Sequence, residues 1–314
     1  MTRTYRFGPI TLASTLELPE LPPCTAPGEP GVSIEAGDIV EGAVPRWFHA
    51  WTGEGGREWL RIGRDEAGYR LEFPGLATFA LAADGSRVRA CCRDASPDTF
   101  RHLLLDQVMP LVLAHQGWCV LHAAAVASAG GAVAFLGATG YGKSTIAASL
   151  AATGLRAITD DTLILSAPPD SAVMGHAAYP SIRVWPDTAT TILGPGYRHD
   201  GRVSEFNEKV RVGAASGLEF VVSGVPLQAV YVLTPDSSAA VPGIEAIPPR
   251  DRVIEVVRHA FMLDWEGADR LRAAFDRLSR VVNRVTVRRL RFRHHYSELP
   301  AVRRAVLDDW RHAA

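Results

Sequence analysis

Between the apolar run Ala132–Leu136 and the helix-forming stretch Ser144–Leu150 stands Gly137-Ala138-Thr139-Gly140-Tyr141-Gly142-Lys143-Ser144. No other feature constrains the fold as tightly. Its glycines let the backbone curl with N–H groups turned inward, and the start of a helix adds positive potential, so the loop is suited to enclosing phosphate. The motif requires a strand before it and a helix after it, which commits this region to an α/β arrangement. Lys143 is placed to reach β- and γ-phosphates, Ser144 to bind Mg²⁺, and the residues from Gly137 through Thr145 to hold ATP.

Only Lys143 and Lys209 are lysines in a chain with 33 basic residues. A lysine kept among so many arginines suits a task that needs a compact point charge. The 33 basic and 34 acidic residues nearly cancel, leaving a net charge of −1. That balance argues against whole-chain binding to nucleic acid or to an anionic membrane. At 314 residues the chain suggests roughly two domains. No apolar run is long enough to span a bilayer, and Met1–Leu12 lacks a signal-peptide layout. Cys24, Cys91, Cys92 and Cys119 have no zinc-finger spacing, so they read as reduced thiols of a cytoplasmic protein.

Residues 1–95 read as a small β-rich domain, and residues 96–314 as the domain that carries the loop. Tyr5–Leu12, Trp59–Ile62, Tyr69–Phe73, Thr78–Leu81 and Val88–Cys92 are expected strands, with turns at Pro74-Gly75 and Asp84-Gly85. Trp47, His49 and Trp51 read as an aromatic core cluster. Ser96-Pro97 begins a helix that runs to about Ala114, with Pro110 a candidate kink. Val120–Val126, Ala132–Leu136 and Ala157–Leu165 are further expected strands, and mixed strands continue to about Val232. A linker over Pro242–Pro249 leads to helices over Arg250–Met262 and Trp265–Val282. The alternating arginines of Val285–Phe292 read as the solvated face of a strand, and Pro300 opens a last helix.

After the loop come Asp160 and Asp161, where a phosphoryl-transfer site needs an acid. Adjacent residues on a strand point to opposite faces, so one would turn to metal and phosphates while the other is structural. His122 lies on the strand that precedes the loop; on its own it reads as a core histidine.

His122, Lys143-Ser144 and Asp160-Asp161 together resemble the HPr kinase/phosphorylase family and its divergent bacterial relatives, with matching His-to-Lys and Lys-to-Asp separations over about Trp118–Leu165. The resemblance implies a P-loop core, a mixed sheet with flanking helices, preceded here by the β-rich domain. It implies that Lys143 binds phosphate, that Ser144 binds Mg²⁺ and that Asp160 supports Asp161, with Asp160 also a candidate metal ligand. It makes Asp161 the proton acceptor from a substrate hydroxyl and His122 its active-site partner. The family's second metal ligand, a glutamate in a glycine-containing signature, has no match in Tyr179–Asp187. There Asp187 is a chemical substitute and Arg183 an alternative phosphate contact. Lys209 and Arg211 are candidates for the family's late catalytic arginine by chemistry alone.

The Tyr179–Pro186 stretch, the strand around His122 and the β-rich first domain are similar to HPr-kinase-like proteins of peptide biosynthesis, including the lasso-peptide precursor kinases. That likeness implies a peptide or small-protein acceptor phosphorylated on serine, and is compatible with a homo-oligomer. The signature tied to reverse phosphorolysis is absent. The rival readings are a kinase for a small-molecule alcohol, and a nucleotide-binding regulatory module that transfers nothing.

Overall fold

The computed structural model describes residues 1–25, 28–39, 45–53 and 56–313. The protein is a mixed α/β structure that divides into two compact units, Met1–Gly117 with Val203–Asn207, and Trp118–Arg202 with Glu208–Ala314. No helix among the described residues is long and apolar enough to cross a membrane.

The first unit is built on β1 (Arg3–Phe7), β2 (Ile10–Ser14), β3 (Val32–Ala36), β4 (Arg46–Thr52), β5 (Glu58–Asp65), β6 (Gly68–Phe73), β7 (Ala77–Ala82) and β8 (Arg87–Cys92). They form one sheet in the order β1-β2-β3-β8-β7-β6-β5-β4. Alternation sets its buried face: Leu60 and Ile62, Tyr69, Leu71 and Phe73, and Phe79 and Leu81 all turn inward. The expected strand Tyr5–Leu12 is in fact a hairpin, with Phe7 opposite Ile10 and Gly8 turning at φ +56°. Neither β3 nor β4 was legible in the sequence. β4 is one of the two edge strands, and on it Trp47, His49 and Trp51 are half-exposed or exposed rather than core. The Arg61 guanidinium lies 4.2 Å over the Trp47 ring.

Ser96 caps α1 (Pro97–His102) by accepting from the Thr99 N–H. The helix continues through a π-helical turn, Leu103–Val108, into α2 (Met109–His115). Pro110 has no N–H to donate, and the turn before it widens so that the Met109 N–H reaches the Leu104 carbonyl. Phe100 stacks on Phe79 at 5.5 Å, and the His115 ring meets Tyr69 edge-on at 4.9 Å. These contacts group the helix with the β-rich unit, so the division falls after Gly117 and not after residue 95.

The second unit runs β9 (Cys119–His122), β10 (Ala124–Ser128), β11 (Gly131–Leu136), α3 (Lys143–Ala151), β12 (Arg156–Thr159), β13 (Thr162–Ser166) and β14 (Met174–Ala177). It continues with β15 (Ile182–Val184) and α4 (Pro186–Leu193); then come β16 (Arg202–Ser204) and β17 (Asn207–Val212), where the chain passes through the Val203–Asn207 segment of the first unit, and β18 (Val225–Pro235). Last come β19 (Gly243–Ala246), α5 (Pro249–Val257), α6 (Ala268–Val282), β20 (Thr286–Phe292) and α7 (Leu299–Ala313). The large sheet follows β12-β10-β11-β18-β14-β13-β9, with β20 beside β18 and β19 beside β20. Side chains from alternate positions of its central strands feed two cores. Ala134, Leu136, Val230 and Val232 pack with Val256 of α5 and Leu278, Val281 and Val282 of α6. Val133, Phe135, Tyr231 and Leu233 pack with Ile146 and Leu150 of α3 and Val302, Val306 and Trp310 of α7. Helices therefore cover both faces of the sheet.

Sequence expectations need correction at several places in this unit. Val120–Val126 and Ala157–Leu165 each break into two strands, at Ala123 and at Asp160-Asp161. The reason is a change of partner: β9 pairs with β13, whereas β10 pairs with β12. The Pro242–Pro249 linker holds strand β19, and the expected mixed strands include helix α4. The arginines of β20 are half-exposed or exposed, as expected of solvated residues, and are also ion-paired, Arg288 with Asp309, Arg289 with Glu255 and Arg291 with Asp236. On α6, Phe275 is 50% exposed although it lies on the expected apolar stripe.

Strand directions decide where chemistry can gather. β10 is antiparallel to both β11 and β12, so β12 runs with β11; β18 and β20 are parallel to this direction. The carboxyl ends of β11, β12, β18 and β20 thus share one end of the sheet, the end at which open α/β sheets bind ligands.

Candidate active site

The loop that leaves β11 turns twice through left-handed backbone, at Gly140 (φ +84°) and Gly142 (φ +88°), before α3 begins at Lys143. A side chain is strained at either place. At Gly142 a Cβ would also lie 3.2 Å from His294 Nε2. Ala138, Thr139, Gly140 and Tyr141 are exposed, while Ser144 and Thr145 are half-buried in the first turn of α3. Lys143 is buried, and its Nζ donates to the carbonyls of Gly137 at 2.8 Å and Ala138 at 3.3 Å. Burial pulls its ammonium down to about 8, against an opposing pull from Asp161.

Asp160 and Asp161 occupy the bend between β12 and β13 and do not diverge to opposite faces as strand residues would. One guanidinium meets both: Arg183 Nε lies 3.3 Å from Asp160 Oδ1 and Nη2 lies 3.0 Å from Asp161 Oδ2. Ser144 Oγ donates to Asp160 Oδ2 at 3.3 Å. His122 Nδ1 lies 3.1 Å from Asp161 Oδ1. Burial raises the carboxyl of Asp160, with Arg183 offsetting only part of the effect. Burial pushes Asp161 the same way but is outweighed by Arg183 and His122, which hold it well below the usual carboxylate range. Two neighbouring acids are thereby driven in opposite directions, a pattern typical of functional sites.

Arg183 comes from β15, which pairs with β17 so that Arg183 faces Arg211 and Val184 faces Val210. Lys209, two residues from Arg211, shares that face. The other face, Ile182, Val184, Val210 and Val212, packs on Ala148 and Ala151 of α3. Alternation thus collects Arg183, Lys209 and Arg211 on one side of a small sheet. Lys209 is close enough to lower both Lys143 and Asp160 electrostatically, and its Nζ sits 5.6 Å over the Trp185 ring. Arg211 is buried and donates to the Arg202 carbonyl. Asp187 lies in the first turn of α4, where its carboxylate accepts a hydrogen bond from Tyr296 Oη at 2.9 Å.

Mg²⁺ takes hard oxygen ligands and keeps several waters, needing only one or two from protein. Ser144 Oγ and Asp160 Oδ2, already in hydrogen-bond contact, meet that requirement. They are the residues that would hold the ion.

Sequence reasoning missed His259 altogether and, in His294-His295, saw only a weak hint of metal or nucleic acid and no link to the loop. α5 ends at Val257, short of the expected Met262, and the chain then pairs with β9: His122 N–H donates to the His259 carbonyl at 2.7 Å, and Phe261 N–H to that of Val120. The His259 ring is held at about 4 by burial, Lys143 and His122. The helical periodicity of Arg250–Met262 masked this turn. His294 follows β20 and reaches the loop only because β20 runs parallel to β18 and β18 to β11, and no local signal announces that.

No family model matches the sequence, and no curated protein matches it. Among solved structures the chain is similar to the HPr(Ser) kinase/phosphatase from Coxiella burnetii, at 15% identity and a TM-score of 0.34, over 62% of this chain and 97% of that one.

Proposed function

We propose that this chain is an ATP- and Mg²⁺-dependent kinase that transfers the γ-phosphoryl group to a serine hydroxyl of a peptide or small protein. The observation that carries this reading is the meeting of Lys143, Ser144, Asp160 and Asp161 at one end of the sheet, with Asp161 exposed enough to receive a proton. Lys143 and the loop amides hold the phosphates; Mg²⁺ held by Ser144 and Asp160 would neutralise charge on them. The acceptor oxygen bonds to the γ-phosphorus as the bond to the β–γ bridging oxygen breaks, and the hydroxyl proton passes to Asp161. Arg183 and His122 keep Asp161 ionised and weakly basic, which places proton uptake late. A loose transition state calls for late proton transfer. The choice of a serine, and of a lasso-peptide precursor as its bearer, rests on the sequence resemblance alone.

The test is transfer of labelled γ-phosphate from Mg-ATP to serine peptides and, in parallel, to small alcohols. Labelled phosphoserine supports the reading. Label on alcohols alone makes the protein a small-molecule kinase, and tight ATP binding with no transfer makes it a nucleotide switch.

A further inference from the structure

A cavity of about 610 Å³ opens beside Gly137, Ala138 and Tyr141, within the size range of small-ligand sites. Its position identifies which part of a reaction it serves. Lys143 Nζ donates to the carbonyls of Gly137 and Ala138, and the lysine of such a loop reaches the β- and γ-phosphates. The cavity therefore adjoins the first residues of the loop, the ones that the phosphate-reaching lysine touches. His259 lines it, and the same residue's carbonyl accepts from the His122 N–H, while His122 holds Asp161. The proton acceptor is thus linked to the cavity wall through one residue.

The charged groups of the wall already have partners. Glu255 takes Arg289 at 2.8 Å and Arg258 at 3.5 Å, and Arg291 takes Asp236 at 2.7 Å and Glu245 at 3.2 Å. Three arginines face three carboxylates. His259, held at about 4, adds no charge at neutral pH. An acceptor with its own net charge would have to compete with these existing pairs, whereas an uncharged one leaves them intact.

We propose that this cavity is the acceptor site of the kinase and that it takes a hydroxyl flanked by uncharged groups, as in a serine within a neutral peptide segment. The inference rests on the kinase reading and specifies where its acceptor lies and which chemistry it carries.

The experiment supplies Mg-ATP with a mixture of capped serine peptides whose residues flanking serine are randomised, and sequences the phosphorylated products. It uses the full chain, Ser238→Trp and Glu245→Trp, two substitutions that fill the cavity from different elements. ATP binding is measured separately for each. The expected result is products enriched in neutral flanks, with transfer reduced about 10²-fold in whichever variants fold, as misplacement of a reactant would do, and with ATP affinity unchanged. Products enriched in acidic or basic flanks, or no product at all while ATP binds, overturn the neutral-peptide assignment. Loss of ATP affinity in the folded variants makes the cavity a nucleoside site and also overturns it. Failure of the parent chain to bind ATP instead rejects the kinase reading beneath it.

Discussion

His122 and Asp161, 39 positions apart in sequence, lie 3.1 Å apart through Nδ1 and Oδ1, and the Asp161 carbonyl accepts the N–H of the residue after the histidine. Both strands break at the same level, so the pair is fixed by backbone as well as by charge. The site is thus held by the sheet before any ligand arrives.

Replacing Lys143 by alanine removes the buried ammonium that spans the first loop carbonyls. Mg-ATP should raise the melting temperature of the parent through binding linkage, and the variant should lose most of that rise. A differential scanning measurement with and without Mg-ATP decides it.

Asp161→Asn keeps the shape of the side chain and removes its charge. Transfer of the γ-phosphoryl group in a single turnover should fall by about 10²–10⁴, the usual contribution of a positioned base. ATP affinity should change little, because Lys143 and the loop amides are untouched. Near-parental transfer would remove Asp161 from its role as proton acceptor.

Arg183→Gln takes away the cation shared by the buried Asp160 and the half-buried Asp161. Breaking such a pair costs about 3–5 kcal/mol, read as a lower denaturation midpoint at pH 7. The sign with pH follows from Asp161, whose folded value is depressed below 3.8. Its stabilisation is present above that value and disappears as pH falls through the depressed one. In the variant only His122 is left to oppose burial, so the Asp161 carboxyl rises and the acid limb of the transfer rate should move to higher pH. An unmoved limb would show that Arg183 does not control Asp161.

Lys143 has an ordinary value of 10.5 and stands at about 8 when buried without phosphate. Between these values the unfolded chain binds more protons, so the Lys143 contribution to stability rises as pH rises from about 8. Phosphate restores the charged form. Binding of Mg-ATP near pH 8.5 (about half a unit above the depressed value) should therefore take up protons, and calorimetry in buffers of different ionisation enthalpy measures the uptake. Lys143→Met should abolish it.

The loop, the helix after it and the acids beyond were legible because each is local: a glycine pattern, an apolar run, a pair of carboxylates. The break at Asp160-Asp161 was not, because an apolar stretch interrupted by two acids does not reveal that its halves change partners. Arg183 illustrates the same limit. Alternation in Ile182-Arg183-Val184 and Lys209-Val210-Arg211-Val212 signals one polar face, yet only the pairing of β15 with β17 puts those cations side by side. His259 and His294 reach the site through long-range strand order, which residue spacing does not encode.

Helix α3 has no solvent-facing stripe beyond its first turn: Ile146, Ala147 and Leu150 press on the large sheet while Ala148 and Ala151 press on the small one. An element wedged from two sides has little freedom to tilt or fray. The loop mounted on its N-terminus is consequently presented to phosphate already shaped, and ATP binding should cost little ordering entropy and expose or bury little apolar surface in the protein itself. Its thermodynamic trace would be a small heat-capacity change, in contrast to phosphate sites that fold around their ligand.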